Sequence, residues 1–415
     1  MIVVLLPLGS RALAEGWPAW RGPAGNAVAP AGDYPVEFGP EENCTWSIDL
    51  GGEGSGTPIV WGEAVFVCAT VDGQDTITCY NLADGSQRWQ QKLGDSSQPK
   101  HRAATGSNPS PVTDGKHVVG YFKSGLVVCC DMDGNHLWQK NLQREYGEDT
   151  LWWDLGTSPI LTSAGVMIAV MQEGDSYLVT LDLDSGNVVW KQRRQYDTAR
   201  ESDQSYTTPA VQMIDGVETI VTWGADHLTG HDAKTGKQLW ECGGFNVRRE
   251  GMWRTIASAT VAEGVAYVPF GRGSHLAAIQ LGGEGDITGQ SKLWQENGSG
   301  VAADVPSPIV SDGKVYVLGD KGELSCRDAQ TGEVVWSGRL PRGRAPYYSS
   351  PLLAGDKLYC VREDGTIFVC QLGGDNFKVI AENDVDHQIV ATPVPVADSL
   401  LVRTRTHLFR FSKSK

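Results

Sequence analysis

One stretch of the sequence decides the fold: residues 307–336 read SPIVSDGKVYVLGDKGELSCRDAQTGEVVW. A small residue and a proline open it, short apolar runs follow, and a tryptophan ends it. Asp-Gly, Lys-Gly and Thr-Gly turn signals separate the runs. This pattern predicts four short strands in a unit of about 43 residues, which is the size of one β-propeller blade.

The opening and closing residues of this unit recur along the whole chain. The opening prolines are Pro58, Pro111, Pro159, Pro209, Pro308, Pro351 and Pro393, and Ala259 fills the one gap, so eight copies start 42 to 53 residues apart. The closing tryptophans are Trp89, Trp138, Trp190, Trp240, Trp294 and Trp336, and residues 377–380 replace the tryptophan of the seventh copy. We therefore predict an all-β fold, an eight-bladed β-propeller of four-stranded antiparallel blades.

The eighth copy, from Thr392 to about Phe411, has no fourth strand of its own. Residues 43–50, NCTWSIDL, resemble a fourth strand that has no blade. We predict that this N-terminal strand completes the last blade, because a closed ring leaves no strand edge unpaired. The single propeller domain is then residues 43–415, preceded by an N-terminal extension, residues 15–42.

The first residues have features of an export signal. Residues 2–8 form an apolar run, and residues 12–14, ALA, match a small-x-small cleavage site before Glu15. We predict a truncated signal peptide over residues 1–14, and hence a periplasmic or secreted bacterial protein. An ordinary buried strand is the alternative for this run. We expect no lipoprotein anchor and no transmembrane segment.

The net charge of the chain narrows the possible partners. The formal net charge of −15 argues against nucleic acid, which is bound by clustered Lys and Arg.

The nine cysteines match no zinc-binding pattern. Cys68 and Cys79 flank one predicted turn, and Cys360 and Cys370 flank another, as the partners of a cross-strand disulfide would. Free thiols in the core are the alternative for both pairs.

Two motifs indicate a family. Residues 182–190, 232–240 and 328–336 fit the docking motif Asp-x-x-Thr-Gly-x-x-x-Trp, and residues 17–23 read WPAWRGP. In these features the chain resembles the PQQ-like (quinoprotein-type) β-propeller repeat family, secreted bacterial members in particular. The resemblance covers nearly all of residues 17–412. It implies the fold strongly and the function weakly, because one fold hosts many functions.

The resemblance also raises the question of a cofactor. Family members that bind pyrroloquinoline quinone (PQQ) hold it over the channel with Ca²⁺, often beneath a disulfide between adjacent cysteines. Cys129 and Cys130 are adjacent here. They fall within the predicted third strand of the second blade, where neighbouring side chains point to opposite faces. We therefore interpret the pair as structural.

The loops between blades carry the candidate binding residues. In a propeller, the loops before the first strands all lie on one face. Here these loops are long and rich in aromatic, arginine and carboxylate side chains. This composition favours a binding site, and the alternative is that the loops are simply polar and pack on each other. We call this the funnel face. Its candidate ligand-binding residues are His101, Arg102, Trp152, Trp153, Asp154, Asp203, Tyr206, Trp253, Arg254, Asp304, Arg344, Tyr347, Tyr348 and His387. Their basic members suggest an anionic ligand or an acidic peptide.

The predicted function is that of an exported, non-catalytic propeller. It would act as a monomeric binding or scaffold module for a protein, peptide or glycan at the cell envelope, with no cofactor, no catalytic residue and no metal site. Its architecture is similar to the propeller subunit of the bacterial outer-membrane protein assembly machinery. The alternative is a quinoprotein oxidoreductase, an alcohol or sugar dehydrogenase that uses PQQ and calcium.

Overall fold

Eight antiparallel sheets of four main strands form a ring in the computed structural model, which describes residues 16–413. The predicted eight-bladed propeller is therefore confirmed. The predicted signal peptide, residues 1–14, lies outside the described residues. Within residues 16–413, no helix is both long enough and apolar enough to cross a membrane. A short helix, Leu142–Tyr146, follows the fourth strand of the second blade.

The blades are numbered along the ring, and the strands of each run from the channel outward. Blades 1 to 4 consist of Ile59–Trp61, Ala64–Val71, Gln74–Asn81 and Gln87–Asp95; Val112–Thr113, His117–Tyr121, Leu126–Asp131 and His136–Asn141; Ile160–Thr162, Gly165–Val170, Tyr177–Leu181 and Val188–Arg193; and Ala210–Ile214, Val217–Gly224, His227–Asp232 and Gln238–Cys242. Blades 5 to 8 consist of Thr260–Ala262, Val265–Phe270, His275–Gln280 and Lys292–Asn297; Ile309–Ser311, Lys314–Leu318, Glu323–Asp328 and Val334–Arg339; Leu352–Ala354, Lys357–Val361, Thr366–Leu372 and Phe377–Asp384; and Val394–Val396, Ser399–Arg403, His407–Ser412 and Cys44–Asp49. Two short strands, Gly16–Trp17 and Gly285–Asp286, extend blades 1 and 4.

Local sequence explains where each blade begins. Every predicted opening residue stands directly before a first strand, as Pro308 does before Ile309–Ser311. Asp312 and Gly313 follow this strand with φ values of 51° and 67°. This left-handed pair makes the tight hairpin that Asp-Gly sequences favour. Each blade then buries its faces against its neighbours, as repeat units do.

The N-terminal strand closes the ring. Cys44–Asp49 pairs antiparallel with His407–Ser412, with Trp46 opposite Arg410 and Ile48 opposite Leu408. The predicted closure by residues 43–50 is therefore confirmed. The last blade gains its fourth strand from the other end of the chain, and no blade is left incomplete.

The recurrent tryptophan joins each blade to the next. The Trp138 indole nitrogen of blade 2 donates a 2.7 Å hydrogen bond to the carbonyl oxygen of Leu183 in blade 3. The same ring lies over Gly186, where an added Cβ would approach it to 2.6 Å. The docking motif thus needs its glycine both for the turn and for the indole above it. The same bond joins Trp46 to Leu82, Trp89 to Met132, Trp190 to Ala233 and Trp294 to Ala329.

Within residues 16–413, three junctions lack this bond, those between blades 4 and 5, 6 and 7, and 7 and 8. Blade 5 has an insertion before its fourth strand, and Gly285–Asp286 of this insertion pairs with the fourth strand of blade 4. The buried indole nitrogen of Trp240 in blade 4 has no hydrogen-bond partner among the described residues. The fourth strand of blade 7, Phe377–Asp384, contains no tryptophan, and Trp336 of blade 6 packs on its first residue, Phe377, with ring centroids 5.3 Å apart.

The N-terminal extension crosses the central channel. Gly16–Trp17 pairs with the inner edge of Ile59–Trp61 in blade 1. The buried Arg21 guanidinium donates to Thr260 Oγ1 of blade 5, at 2.9 Å, and to the carbonyl oxygen of Pro308 in blade 6. Val28 then forms a parallel bridge with Leu353 in blade 7. The extension therefore blocks the central channel between blades 1, 5, 6 and 7.

All nine cysteines lie in the described part of the chain, and all are free thiols. Cys68 stands opposite Ile77 and Cys79 opposite Phe66, so this pair is not in register. Both suggested pairs, Cys68 with Cys79 and Cys360 with Cys370, are therefore free thiols in the core, which was the alternative interpretation. Cys129 and Cys130 lie in a regular strand and pack into different clusters, as expected for structural residues.

Candidate functional site

A cavity of about 670 Å³ opens on the funnel face at the mouth of the channel. Its wall comes from the loops before the first strands and from the loops between the second and third strands. Its volume falls in the range of roughly 300–1,000 Å³ that is typical of small-molecule sites. Seven of the predicted residues line it, namely His101, Trp153, Asp154, Tyr206, Arg254, Asp304 and Tyr348.

Four predicted residues lie on the funnel face outside the cavity wall. Arg102 forms a two-pronged hydrogen bond with Glu363, both contacts being 3.2 Å long. Trp152 is stacked beneath the Arg200 guanidinium, 4.9 Å from the ring centroid. His387 is exposed and stacks on His407, and Arg344 is exposed.

Three others contribute to packing and local charge. Tyr347 is buried against Phe368. Trp253 packs edge-on against Phe270. Asp203 is half-buried, and burial raises the pKa of its carboxyl group above the ordinary value. The structure therefore does not bring these three residues together with the seven in the cavity wall.

A belt of hydroxyl groups encircles the cavity. It consists of the residue just before each blade-opening position: Thr57, Ser110, Ser158, Thr208, Ser258, Ser307, Ser350 and Thr392, all of which line the cavity. The backbone N–H of Thr57 donates to Ser110 Oγ, and the same bond of 2.9 to 3.2 Å links blade to blade at seven of the eight junctions. At the eighth, the Thr392 hydroxyl donates to the carbonyl oxygen of Ser350. We call these eight residues the hydroxyl belt.

One side of the cavity is fixed by a buried ion pair. The Lys123 ammonium lies 2.5 Å from Asp154 Oδ1, and both side chains are almost fully buried. Asp154 also accepts hydrogen bonds from the backbone N–H groups of Lys100 and His101. This carboxylate is therefore committed to holding the loop between blades 1 and 2 in place.

The neighbouring part of the wall is a network around Arg254. Its guanidinium lies 3.3 Å from Asp304 Oδ2, 3.7 Å from the buried Glu201 Oε1, and 5.3 Å from the Trp153 ring centroid. The Trp153 indole nitrogen donates to the same Glu201 carboxylate at 2.9 Å. Arg272 contacts Asp304 from outside. Arg254 and Trp153 are thus held rigidly, and the charge of Arg254 is already paired.

The third carboxylate of the wall, Asp320, is turned toward backbone. It accepts hydrogen bonds from the N–H groups of Asp304, at 2.7 Å, and Val305, at 3.0 Å. Burial raises the pKa of Asp320 above its ordinary value. Its role is to hold the loop before blade 6.

The wall does not fit the calcium of a quinone cofactor. Each of its three carboxylates is already bound to cations or backbone N–H groups, and of their six oxygens only Asp304 Oδ1 has no partner among the described residues, which is too few for the six to eight oxygen ligands of Ca²⁺. Among the described residues, no cluster of three or more His, Cys, Asp and Glu side chains could hold a metal ion. The adjacent cysteines are in the core, away from the cavity.

Several residues of the wall are absent from the sequence prediction. Trp20 of the extension forms the cavity floor, and Arg272 and Lys321 come from loops between second and third strands. The hydroxyl belt had a readable signal, because Ser or Thr precedes the opening residue in all eight copies. Trp20 had no comparable signal, since only the path of the extension brings it to the cavity.

The fold and site define a propeller of PQQ-type repeats whose funnel holds a binding cavity. The chain belongs to the family described as outer membrane protein assembly factor BamB, whose model matches residues 41–159, 73–246, 123–284 and 283–375.

Relatives carrying this name are similar at modest identity. BamB of Shewanella oneidensis is 24% identical over 282 residues, which are 68% of this chain and 62% of that protein. The chain thus spans less than two thirds of this relative's length. BamB of Burkholderia pseudomallei is 22% identical over 370 residues, covering 78% of this chain and 86% of that protein.

Solved structures from both predicted function classes, the scaffold and the dehydrogenase, share the fold of this chain. BamB from Moraxella catarrhalis has a TM-score of 0.63 and 15% identity, over 89% of this chain and 99% of that one. A quinohemoprotein alcohol dehydrogenase from Comamonas testosteroni has a TM-score of 0.65 and 12% identity, over 98% and 82%. At these identities the likeness concerns the fold alone. The curated relatives, all named BamB, favour the scaffold over the dehydrogenase.

Proposed function

We propose that this protein is a non-catalytic scaffold of the bacterial envelope that binds a protein partner through its funnel face and assists outer-membrane protein assembly. Family membership supports this function, and so does an apolar surface beside the cavity. We expect the protein to act on the periplasmic side, as a monomer and without a cofactor.

The observation that carries the proposal is a patch of exposed apolar side chains on the loops before blades 3, 4 and 5. It consists of the apolar side chains of Trp152, Val247 and Met252 together with Arg200, whose guanidinium lies over the Trp152 ring, and we call it the rim patch. Val247 is 82% exposed, Met252 42% and Trp152 37%. Exposed apolar residues next to a stacked arginine have the composition of protein–protein interaction sites.

The rim patch is held in shape before any partner binds. The Met252 N–H donates to the carbonyl oxygen of Arg200 at 2.8 Å, which joins two neighbouring loops. Arg249 joins the same loops through its ion pair with Asp197. Arg249 and Met252 have left-handed φ values of 52° and 67°. Such conformations cost on the order of 1–3 kcal/mol and persist where surrounding bonds impose them, often at binding sites.

Complementation tests this function. In its bacterium, deletion of the gene should lower the amount of outer-membrane β-barrel proteins, and the wild-type gene should restore it. Val247→Glu should restore it poorly, because a charge on the patch opposes its burial against a partner. Val334→Glu is the matched control, since Val334 is 51% exposed on the outer strand of blade 6. Full restoration by Val247→Glu, or no effect of the deletion, would contradict the proposal.

A cofactor test separates the scaffold from the dehydrogenase. Purified protein mixed with PQQ and Ca²⁺ should give neither a bound-quinone absorbance nor dye-linked oxidation of alcohols or sugars. Turnover in this assay would overturn the proposed function.

A further inference from the structure

The hydroxyl belt presents unused hydrogen-bond donors to the cavity. Seven of its hydroxyl oxygens accept a backbone N–H, and none of these seven hydroxyls donates its own proton to any acceptor in residues 16–413; they are Thr57, Ser110, Ser158, Thr208, Ser258, Ser307 and Ser350. A hydroxyl group keeps one donor and one further lone pair after accepting a single bond. The belt therefore suits a ligand with many small polar groups around its edge.

The charges of the wall are balanced. Asp154, Asp304 and Asp320 face Arg254, Arg272 and Lys321, which gives three formal charges of each sign. Asp304 is shared by Arg254 and Arg272, and Asp154 has a buried partner in Lys123. An anion or cation in the cavity would have to compete with these pairs, and breaking a buried pair is costly. The balance favours an uncharged ligand over an anionic one.

Aromatic rings supply the apolar part of the wall. Trp20 forms the floor, and Trp153, Tyr206 and Tyr348 stand at the sides. Trp153 is 39% exposed although its indole is fixed by Glu201 and Arg254. Sugar rings expose C–H groups on their faces and hydroxyl groups along their edges. A wall that combines flat aromatic surfaces with a ring of hydroxyl donors matches both parts of such a molecule.

An extended peptide strand fits this cavity less well. A peptide adds to a sheet by pairing with free N–H and C=O groups at a strand edge. Here seven N–H groups just before the first strands are already bound by the belt, starting with Thr57 to Ser110. Gly16–Trp17 occupies the inner edge of blade 1, and Val28 bridges Leu353 of blade 7.

We propose that the funnel cavity binds a short, uncharged oligosaccharide, whose rings stack on Trp153 and whose hydroxyl groups bond to the hydroxyl belt. This site is separate from the rim patch, so it does not depend on the proposed scaffold function. It gives the protein a glycan ligand in addition to its protein partner.

Titration calorimetry of the full chain tests the site with three trisaccharides: chitotriose, cellotriose and maltotriose. We expect saturable binding of at least one, with Kd of about 1 mM or tighter, together with a change in tryptophan fluorescence. Trp153→Ala should weaken this binding at least tenfold. Trp152→Ala is the matched control, because it removes the adjacent tryptophan outside the cavity, and it should leave binding unchanged.

Two further measurements complete the test. If Trp153→Ala fails to fold, Tyr348→Leu removes another ring of the wall and should weaken binding in the same way. A tetra-alanine peptide probes the alternative ligand class. Absence of binding by all three sugars, sugar binding that survives loss of Trp153 or of Tyr348, or peptide binding in place of sugar would overturn the proposal. The sugar titration tests the cavity, and the complementation assay tests the rim patch. A failure of the glycan proposal can therefore be told apart from a failure of the scaffold function.

Discussion

The Trp46 indole nitrogen donates a 3.0 Å hydrogen bond to the carbonyl oxygen of Leu82. Trp46 belongs to the last blade and Leu82 to the first, so this bond spans the point where the ring closes. The same contact joins blades that follow each other directly in the chain, such as Trp190 with Ala233. The closure therefore uses the ordinary bond between neighbouring blades.

Loss of this closing contact should lower stability. Trp46 is half-buried, so Trp46→Ala should reduce the free energy of unfolding by about 2 kcal/mol, less than the 3–5 typical of a buried tryptophan. Trp46→Phe keeps most of the apolar contact and should cost about 1 kcal/mol through the lost hydrogen bond. Urea denaturation measures both values. Val247→Ala, at a side chain that is 82% exposed, should change stability by less than about 0.5 kcal/mol; equal losses for all three variants would contradict the closing role.

The hydroxyl belt can be tested at one position. Ser258→Ala removes the acceptor of the Thr208 N–H, a partly buried bond of 3.0 Å. The stranded N–H should cost about 1–3 kcal/mol. Ser258→Thr keeps the hydroxyl, as the chain itself does at Thr57, and should retain most of the stability. Thermal unfolding of the two variants compares them, and equal stability would mean that the belt bond contributes nothing.

Stability should fall as pH rises through neutrality because of Asp75. This residue is fully buried, and burial raises the pKa of its carboxyl from 3.8 to about 7 despite a hydrogen bond from Ser124. Between these two pH values the folded state holds a proton that the unfolded chain releases. Stability is therefore lost as pH rises from about 4 to 7, by up to about 4 kcal/mol.

Asp75→Asn isolates this effect, because an amide does not titrate. The variant should lack the Asp75 part of the slope between about pH 4 and 7 and should be more stable than wild type at pH 8. Asp72→Asn is the control, since Asp72 is exposed and its pKa is lowered by Lys92. Denaturation curves at several pH values measure the slopes. An unchanged slope in Asp75→Asn would show that other groups cause it.

The thiols should react in two classes. Eight cysteines are buried, and only Cys44 is partly exposed. Burial raises the pKa of the Cys44 thiol as well, so its reaction should be slow. A thiol reagent should label no more than one cysteine in the native protein and all nine in denaturant without reductant. Seven labelled cysteines in denaturant would reveal a disulfide, and Cys360 with Cys370 would be the first pair to examine.

The repeat made the fold predictable from sequence. Turn chemistry such as Asp312-Gly313 and the spacing of the opening prolines are local, so each blade could be recognised separately. The orphan strand was recognisable because Trp46 occupies the same place as the tryptophan of the other blades. The path of the extension was not predictable, since it rests on isolated long-range contacts such as Arg21 with Thr260, 239 residues away.

The site was only partly predictable, because neighbouring loop residues face different ways. Tyr347 is buried in the core, whereas Tyr348 lines the cavity. Trp152 lies on the rim, whereas Trp153 lines the cavity. Composition identified each pair as a candidate, but only backbone geometry decides which member points inward. The pairing of charges was not predictable from sequence either. Arg254 suggested an anionic ligand, but its ion pair with Asp304 removes that preference.

The closing strand also has a consequence for synthesis. The hydroxyl of Thr45 meets that of Ser412 across 367 residues of chain. At translation rates of 5 to 20 residues per second, the strand Cys44–Asp49 waits about 20 to 70 s for its partner, His407–Ser412. During that interval an apolar strand edge stays unpaired, which is when nascent chains are prone to misassociate. We expect this protein to need its greatest protection from aggregation before the strand His407–Ser412 emerges.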